Sequence, residues 1–261
     1  MRGGIQLVDE NLRVAMRFFG EASGSGEVRV SDGVQMVYSG LDYGVFNIAL
    51  LTRQAASERD LTATLATCNK FYRERRARWS LWMCEDLLEP LARRREREVF
   101  IESGMRVISH APGMAATALT PPSRDLPALE IRAVADSSSR AAFTGLTVTC
   151  FDIPFTVARA IYQPESAWNG AYRGFVGFVN GIAVAIVALV RAGGALGVYS
   201  LGTLPEHRRQ GYGEALLRAA IAACRTDPAE PLVLESTDAG YRLYRRLGFR
   251  DVTNFTVYLT K

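Results

Sequence analysis

The chain has 261 residues, of which 48% are hydrophobic and 22% are charged, and its formal net charge is +4. This composition is typical of a soluble globular protein with room for one large domain or for two of about 130 residues, and we favour two. The small net charge argues against a nucleic-acid partner, and so do the arginine runs at 73–78 and 93–98, where interleaved glutamates indicate solvated helix faces.

The cysteines and histidines predict neither a metal site nor a disulfide framework, because they are scattered without ligand-like spacing. The N-terminal segment has acidic residues at Asp9 and Glu10 and lacks the apolar core of a secretory signal, so we expect a cytoplasmic protein. Few lysines beside many arginines suggest a bacterial source.

The first half of the chain reads as alternating strands and helices. An apolar strand at 44–51 precedes a long helical segment, a second strand at 79–84 and another helix. A proline-rich polar stretch at 120–127 then predicts an interdomain linker. We therefore divide the chain into domains at 1–128 and 129–261.

The second half predicts a mixed α/β sheet with helices on its faces. The apolar segment 174–190 is short for a membrane span, and Asn180-Gly181 in its middle predicts a β-hairpin instead. The predicted strands are 129–134, 173–179, 182–191, 195–203, 231–235 and 249–260, and the predicted helices are 137–148, 154–162, 211–225 and 238–247.

The two halves share an order of elements that predicts an internal duplication. Residues 44–51 align with 197–204, and 103–107 align with 247–252 with one residue inserted. The first copy lacks a phosphate site, because residues 53–57 include no glycine.

The most informative stretch lies between the strand 195–203 and the following helix. Two arginines and two glycines stand there, at a place where unpaired helical amides and the positive end of the helix dipole favour anions. Glycine also lets a ligand approach the backbone closely. The stretch therefore predicts a diphosphate site, formed by Arg208, Arg209, Gln210, Gly211, Tyr212 and Gly213.

At these residues the second half resembles the GNAT N-acetyltransferase superfamily, whose acyl-CoA motif is Arg/Gln-x-x-Gly-x-Gly/Ala. The motif stands here as Arg208, Gly211 and Gly213, and the surrounding elements follow the family order over about 129–261. The resemblance implies a tandem GNAT-like fold, with a degenerate first copy and acetyl-CoA or another acyl-CoA as the donor.

The resemblance also assigns residues to the donor. It implies that the backbone amides from Arg209 to Glu214 hold the CoA diphosphate. The pantetheine arm would pair with the strand backbone, as an added strand pairs with a sheet edge, at Leu201, Gly202 and Thr203.

Tyr244 matches the family position for the group that protonates the departing thiolate. A phenol has a pKa of about 10 and a thiol about 8.5, so full proton transfer is unfavourable by roughly 2 kcal/mol. We expect Tyr244 to act by hydrogen bonding as the thioester bond breaks, with Tyr241 as a weaker candidate.

The general base is less clearly indicated, because the strand 197–203 carries no carboxylate. Glu235, at the end of the next strand, is the preferred candidate, and Glu206 is an alternative. His207 is placed to contact phosphate rather than the acceptor.

These residues predict an enzyme that transfers an acetyl or short acyl group from acyl-CoA to a primary amine by direct attack. The alternative is a catalytically silent acyl-CoA sensor or interaction module. The acceptor stays open between small amines and protein lysines, and Trp79, Trp82 and Trp168 are candidates to line its site or to pack in the core. We expect no metal, no membrane partner and a monomer.

Overall fold

The computed structural model describes residues 2–261, and these form a mixed α/β structure. The helices are α1 (Arg2–Glu21), α2 (Glu58–Glu74), α3 (Pro90–Glu102), α4 (Ser137–Phe151), α5 (Phe155–Tyr162), α6 (Tyr212–Cys224) and α7 (Asp238–Arg246). The strands of the first half are β1 (Glu27–Ser31), β2 (Val34–Tyr38), β3 (Ile48–Leu51), β4 (Ser80–Cys84) and β5 (Met105–Ala116). Those of the second half are β6 (Glu130–Ala133), β7 (Tyr172–Val179), β8 (Ile182–Ala192), β9 (Ala195–Thr203), β10 (Leu232–Glu235) and β11 (Arg250–Thr260).

All these strands join in a single sheet of 11 strands, in the order β1-β2-β3-β4-β11-β5-β10-β9-β8-β7-β6. Each half contains one parallel pair, β3 with β4 and β9 with β10, and the other pairs are antiparallel. Each half thus repeats an antiparallel run that ends in a parallel pair. This is the order expected from the internal duplication.

The two halves exchange strands at the centre of the sheet. Strand β5 of the first half pairs with β10 on one side and with β11 on the other. Strand β11, the last of the second half, in turn pairs with β4 of the first. The division between residues 128 and 129 stays a prediction, but the exchange joins the two halves through backbone hydrogen bonds.

Helices cover both faces of the sheet. Helices α2 and α3 pack on one face of the first half, and α6 and α7 contribute to the core of the second half. Helices α1, α4 and α5 share a third core with side chains from both halves. We did not predict α1, which contacts strands of both halves, including β2, β5, β8 and β9.

The predicted hairpin is confirmed. Asn180 and Gly181 join β7 to β8 with φ values of 51° and 79°, the left-handed conformation that this turn requires. The apolar segment around them therefore forms two buried strands. Within residues 2–261, no helix has both the length and the apolar character needed to span a membrane.

Candidate active site

The parallel strands β9 and β10 separate at the centre of the second half. They pair only at Leu196 with Leu232 and at Gly197 with Val233. Beyond this point β9 continues to Thr203 while β10 stays paired with β5 up to Glu235. Because one side of β9 there faces no partner strand among the described residues, its backbone is open to a ligand that pairs as a strand does.

A β-bulge bends β9 where the strands separate. Ala188 pairs with Tyr199 and Ile186 with Gly202, so two residues of β9 oppose one residue of β8. Ser200 has a φ of 49° within this bulge, and its Oγ lies 2.7 Å from the Tyr172 hydroxyl. Beyond the bulge β9 still pairs with β8 but no longer with β10, and we call the gap between β9 and β10 the cleft.

The predicted anion loop closes one end of this cleft. The chain leaves β9 through a short 3-10 turn, and both Arg209 (φ 62°) and Gly211 (φ 100°) adopt left-handed conformations before α6 begins at Tyr212. No side chain among the described residues caps this helix start. Its first amides therefore have no side-chain acceptor within residues 2–261.

The loop is docked on the end of β9. Arg208 Nε donates to the Thr203 carbonyl oxygen at 3.0 Å. A Cβ at Gly213 would lie 2.9 Å from Thr203 Oγ1, so a larger residue at 213 would push the loop and the strand apart. Glycine at this position keeps the loop and the open edge of β9 adjacent.

The acidic residue in the first turn of α6 is directed away from the anion site. Glu214 is buried, and its carboxylate pairs with Arg218 at 2.8 Å and with Arg246 at 3.6 Å. These two guanidiniums offset its charge, so it repels an anion at the helix start less than a free carboxylate would. On the other side, His207 packs edge to face against Tyr212, with ring centroids 5.8 Å apart.

Tyr244 lies on α7, on the face of the sheet that carries α6. Its ring packs against Phe249 with centroids 5.8 Å apart, and a Cβ at Gly240 would lie only 2.8 Å from it. Burial, and then the nearby carboxyl of Glu235, raise the pKa of the Tyr244 hydroxyl above its usual range. The hydroxyl therefore stays protonated and can donate a hydrogen bond. Tyr241, the weaker candidate, donates instead to Asp251 at 2.7 Å.

Glu235 is the last residue of β10, and its side chain lies on the face of the sheet opposite to that of Tyr244. It lies on the same face of β10 as Val233, two residues earlier, whose side chain belongs to the core under α1, whereas Tyr244 belongs to the core under α6. Its Oε1 is buried and has no hydrogen-bond partner within residues 2–261. Burial, and then the Asp9 carboxyl on α1, raise the pKa of Glu235 to about 8.

Helix α1 supplies polar groups to this face that the sequence reasoning missed. Asn11 Nδ2 donates to the carbonyl oxygens of Val190, Ala192 and Ala195, and Asn11 Oδ1 accepts from the Tyr199 hydroxyl at 2.7 Å. The amphipathic pattern of residues 2–21 could have predicted the helix, but not the strands on which it packs.

Asp9 is a second missed residue on α1. It is buried and pairs with Arg13 at 2.7 Å. Burial is the main cause that raises the pKa of Asp9 to about 6, against the opposing effect of Arg13. The Asp9 carboxyl in turn contributes to the raised pKa of Glu235.

The corresponding place in the first half has no cleft. Ala55 forms a bridge with Leu88, accepts from the backbone amide of Glu89 and donates its own to Leu87. The chain after β3 therefore fills the space that stays open beside β9. The absence of donor-binding chemistry from the first copy stays a prediction.

Two of the three tryptophans belong to the cores rather than to the cleft. Trp79 stacks on Tyr72 with centroids 5.1 Å apart, and Trp168 lies in an aromatic cluster and donates to the Tyr162 carbonyl oxygen. Trp82 is partly buried near Phe255. The described residues also contain no group of metal-binding side chains.

Residues 170–251 match the family model for the acetyltransferase (GNAT) domain. Among solved structures, the chain is similar to a GCN5-related N-acetyltransferase from Kribbella flavida, with 22% identity and a TM-score of 0.72 over 98% of this chain and 95% of that chain. A GCN5-related N-acetyltransferase-like protein from Streptococcus suis gives 15% identity and a TM-score of 0.54 over 97% of each chain.

A tandem GNAT protein from the clavulanic acid biosynthesis pathway is similar at 12% identity, with a TM-score of 0.54 over 92% of this chain and 84% of that chain. Among curated proteins, no sequence matches. These comparisons confirm the predicted GNAT fold and the resemblance of the second half, and the tandem neighbour supports the duplication.

Proposed function

We propose that this chain, whose residues 170–251 match the GNAT domain, transfers an acetyl or short acyl group from acyl-CoA to a primary amine. The observation that carries the proposal is the cleft between β9 and β10, which ends at an uncapped helix start with glycine at 211 and 213. A strand-like arm that carries a diphosphate fits both features at once.

The donor lies along the open edge of β9 in this proposal. The pantetheine arm pairs with the backbone from Leu201 to Thr203, and the amides from Arg209 to Glu214 bind the diphosphate. The acyl group then reaches the bulge at Ser200, where the strands separate. Each of these roles uses backbone groups, so each depends on the fold more than on side-chain identity.

The reaction is a direct attack of the amine on the thioester. Glu235, as carboxylate, takes the proton that the attacking nitrogen loses, and Tyr244 donates a hydrogen bond to the sulfur as the carbon–sulfur bond breaks. Their positions on opposite faces of β10 suit this division, since one group acts on the amine that adds to the carbonyl carbon and the other on the thiolate that leaves it. The products are the amide and CoA, and no metal takes part.

The sensor alternative draws support from the same carboxyl. Glu235, with a pKa of about 8, is largely protonated at neutral pH, so only a small fraction is present there as the carboxylate that can act as a base. An enzyme that depends on it works best in mildly alkaline solution. A sensor shows no such activity at any pH.

We also propose a cytoplasmic monomer. The exchange of β5 and β11 already completes the sheet within one chain, so the centre of the sheet needs no second subunit. The acceptor is either a small amine or a protein lysine.

Thermal unfolding with CoA, acetyl-CoA and longer acyl-CoAs tests the donor site first. A ligand at about 100 times its dissociation constant stabilises the fold by about 2.7 kcal/mol, which raises Tm by a few degrees. No shift at saturating concentration refutes the donor site. Release of CoA thiol with a panel of amines, slowed by about 10- to 100-fold in Tyr244→Phe, then separates the enzyme from the sensor.

A further inference from the structure

The segment between β5 and β6, residues 117–129, is the linker between the two halves, and it is bound to the second half by hydrogen bonds. Its first part is fixed along α6 and the end of α7. Arg225 Nη2 donates to the Thr117 carbonyl oxygen at 2.6 Å, and Arg218 Nη2 donates to the Thr120 carbonyl oxygen at 2.5 Å. The Thr120 amide donates to the Leu247 carbonyl oxygen at 2.9 Å. These bonds direct the linker toward the start of α6.

The second part of the linker lies against the anion loop. Arg124 Nη2 donates to the Arg209 carbonyl oxygen at 3.1 Å. A Cβ at Gly211 would lie 2.9 Å from Pro127 Cδ and 3.4 Å from Arg124 Nη2. The linker therefore occupies the space next to Gly211, and residue 211 must be glycine for this contact as well as for its φ of 100°.

The guanidinium of Arg124 is held at this place by one hydrogen bond, and its side chain is otherwise exposed. A guanidinium has five N–H donors, so most of its donors face solvent beside the loop. Arg208 and Arg209 carry two further exposed guanidiniums in the loop itself. The carboxyls nearest in sequence are those of Asp125 and Glu206, both exposed, while Glu214 is paired elsewhere.

We propose that Arg124 binds the diphosphate of the donor, so that the linker between the two halves forms one wall of the donor site. This inference rests on the proposed function, because it takes the loop 208–213 as the diphosphate site. A hydrogen bond to a charged group contributes more than a neutral one, and removal of such a bond weakens binding by about 10- to 100-fold.

The test compares CoA with pantetheine, which lacks the phosphates, by isothermal titration calorimetry. Arg124→Ala raises the Kd of CoA by about 10- to 100-fold and leaves the Kd of pantetheine unchanged. Arg94→Ala, an exposed arginine of α3, is the matched control for net charge and leaves both unchanged. Unfolding temperatures of the variants confirm that each is folded.

Two further variants separate charge from position. Arg124→Gln keeps an N–H donor for the Arg209 carbonyl but not the charge, whereas Arg124→Lys keeps the charge. The proposal expects the lysine variant to bind CoA more tightly than the glutamine variant. Wild-type affinity for CoA in Arg124→Gln or Arg124→Ala overturns it and leaves the donor site intact. A wild-type chain that does not bind CoA refutes the donor site itself, and this inference with it.

Discussion

Replacement of Glu235 by glutamine tests the buried carboxyl without any knowledge of the acceptor. Burial and Asp9 raise its pKa from 4.5 to about 8, so the folded state holds a proton that the unfolded state releases. The stability that this proton provides is fully present below pH 4.5 and is lost as the pH rises toward 8. Glutamine stays neutral at every pH, so the free energy of unfolding of Glu235→Gln does not fall for this reason.

The magnitude follows from the two pKa values. A tenfold change in an ionisation constant corresponds to about 1.4 kcal/mol, so the full difference corresponds to about 5 kcal/mol as an upper limit. Solvent reaches part of the residue, which reduces the cost of its charge. We therefore expect Glu235→Gln to gain about 2 to 3 kcal/mol relative to the wild type between pH 5 and pH 8.5.

The assay is urea unfolding of both proteins at the two pH values, with Glu206→Gln as the control at an exposed carboxyl of the loop. The control shows the same pH dependence as the wild type. If the free-energy difference between Glu235→Gln and wild type is the same at pH 5 and pH 8.5, Glu235 is not a carboxyl with a raised pKa, and the reasoning fails.

Two further changes test the proposed site, and a third tests how α1 is attached to the sheet. Tyr244→Phe lowers kcat by about 10- to 100-fold because the departing thiolate loses its donor, and calorimetry shows an unchanged Kd for CoA; an unchanged kcat removes Tyr244 from the mechanism. Gly213→Glu places a side chain against Thr203 and a negative charge at the helix start, so CoA binding falls by at least about 100-fold while circular dichroism shows a retained fold. Retained binding means that the diphosphate lies elsewhere. Asn11→Ala leaves the carbonyls at the β8–β9 turn without their donor and lowers the free energy of unfolding by about 2 to 4 kcal/mol in urea; a loss under about 1 kcal/mol means that α1 is held mainly by its apolar contacts.

Local patterns in the sequence were enough to predict most elements of the second half. The strand predicted at 195–203 is β9 with the same bounds, and the helix predicted at 211–225 is α6 at Tyr212–Cys224. The spacing of apolar residues, the turn residues and the residues at helix starts are properties of a few neighbouring positions. They can therefore be recognised without knowledge of the rest of the chain. The anion loop was predicted in the same way, and its role stays a prediction.

These local patterns could not predict which strands pair with each other or where a helix packs on the sheet. The sequence predicts the strand at 249–260 that forms β11, but it does not predict β5 as a strand. It also does not predict that each of these strands pairs with the other half, because strand pairing depends on contacts between residues more than 100 positions apart. Helix α1 is likewise visible only as an amphipathic segment, and its position under both halves comes from packing.

By itself, the sequence determined the hairpin, the order of the strands and helices in the second half, and the glycines and arginines before α6. The tertiary structure alone decided that β9 and β10 separate, that Glu235 and Tyr244 lie on opposite faces of the sheet, and that the linker contacts Gly211. The physical reason is that burial, electrostatic neighbours and an open strand edge arise only when distant segments pack together, and these three set the chemistry of the site.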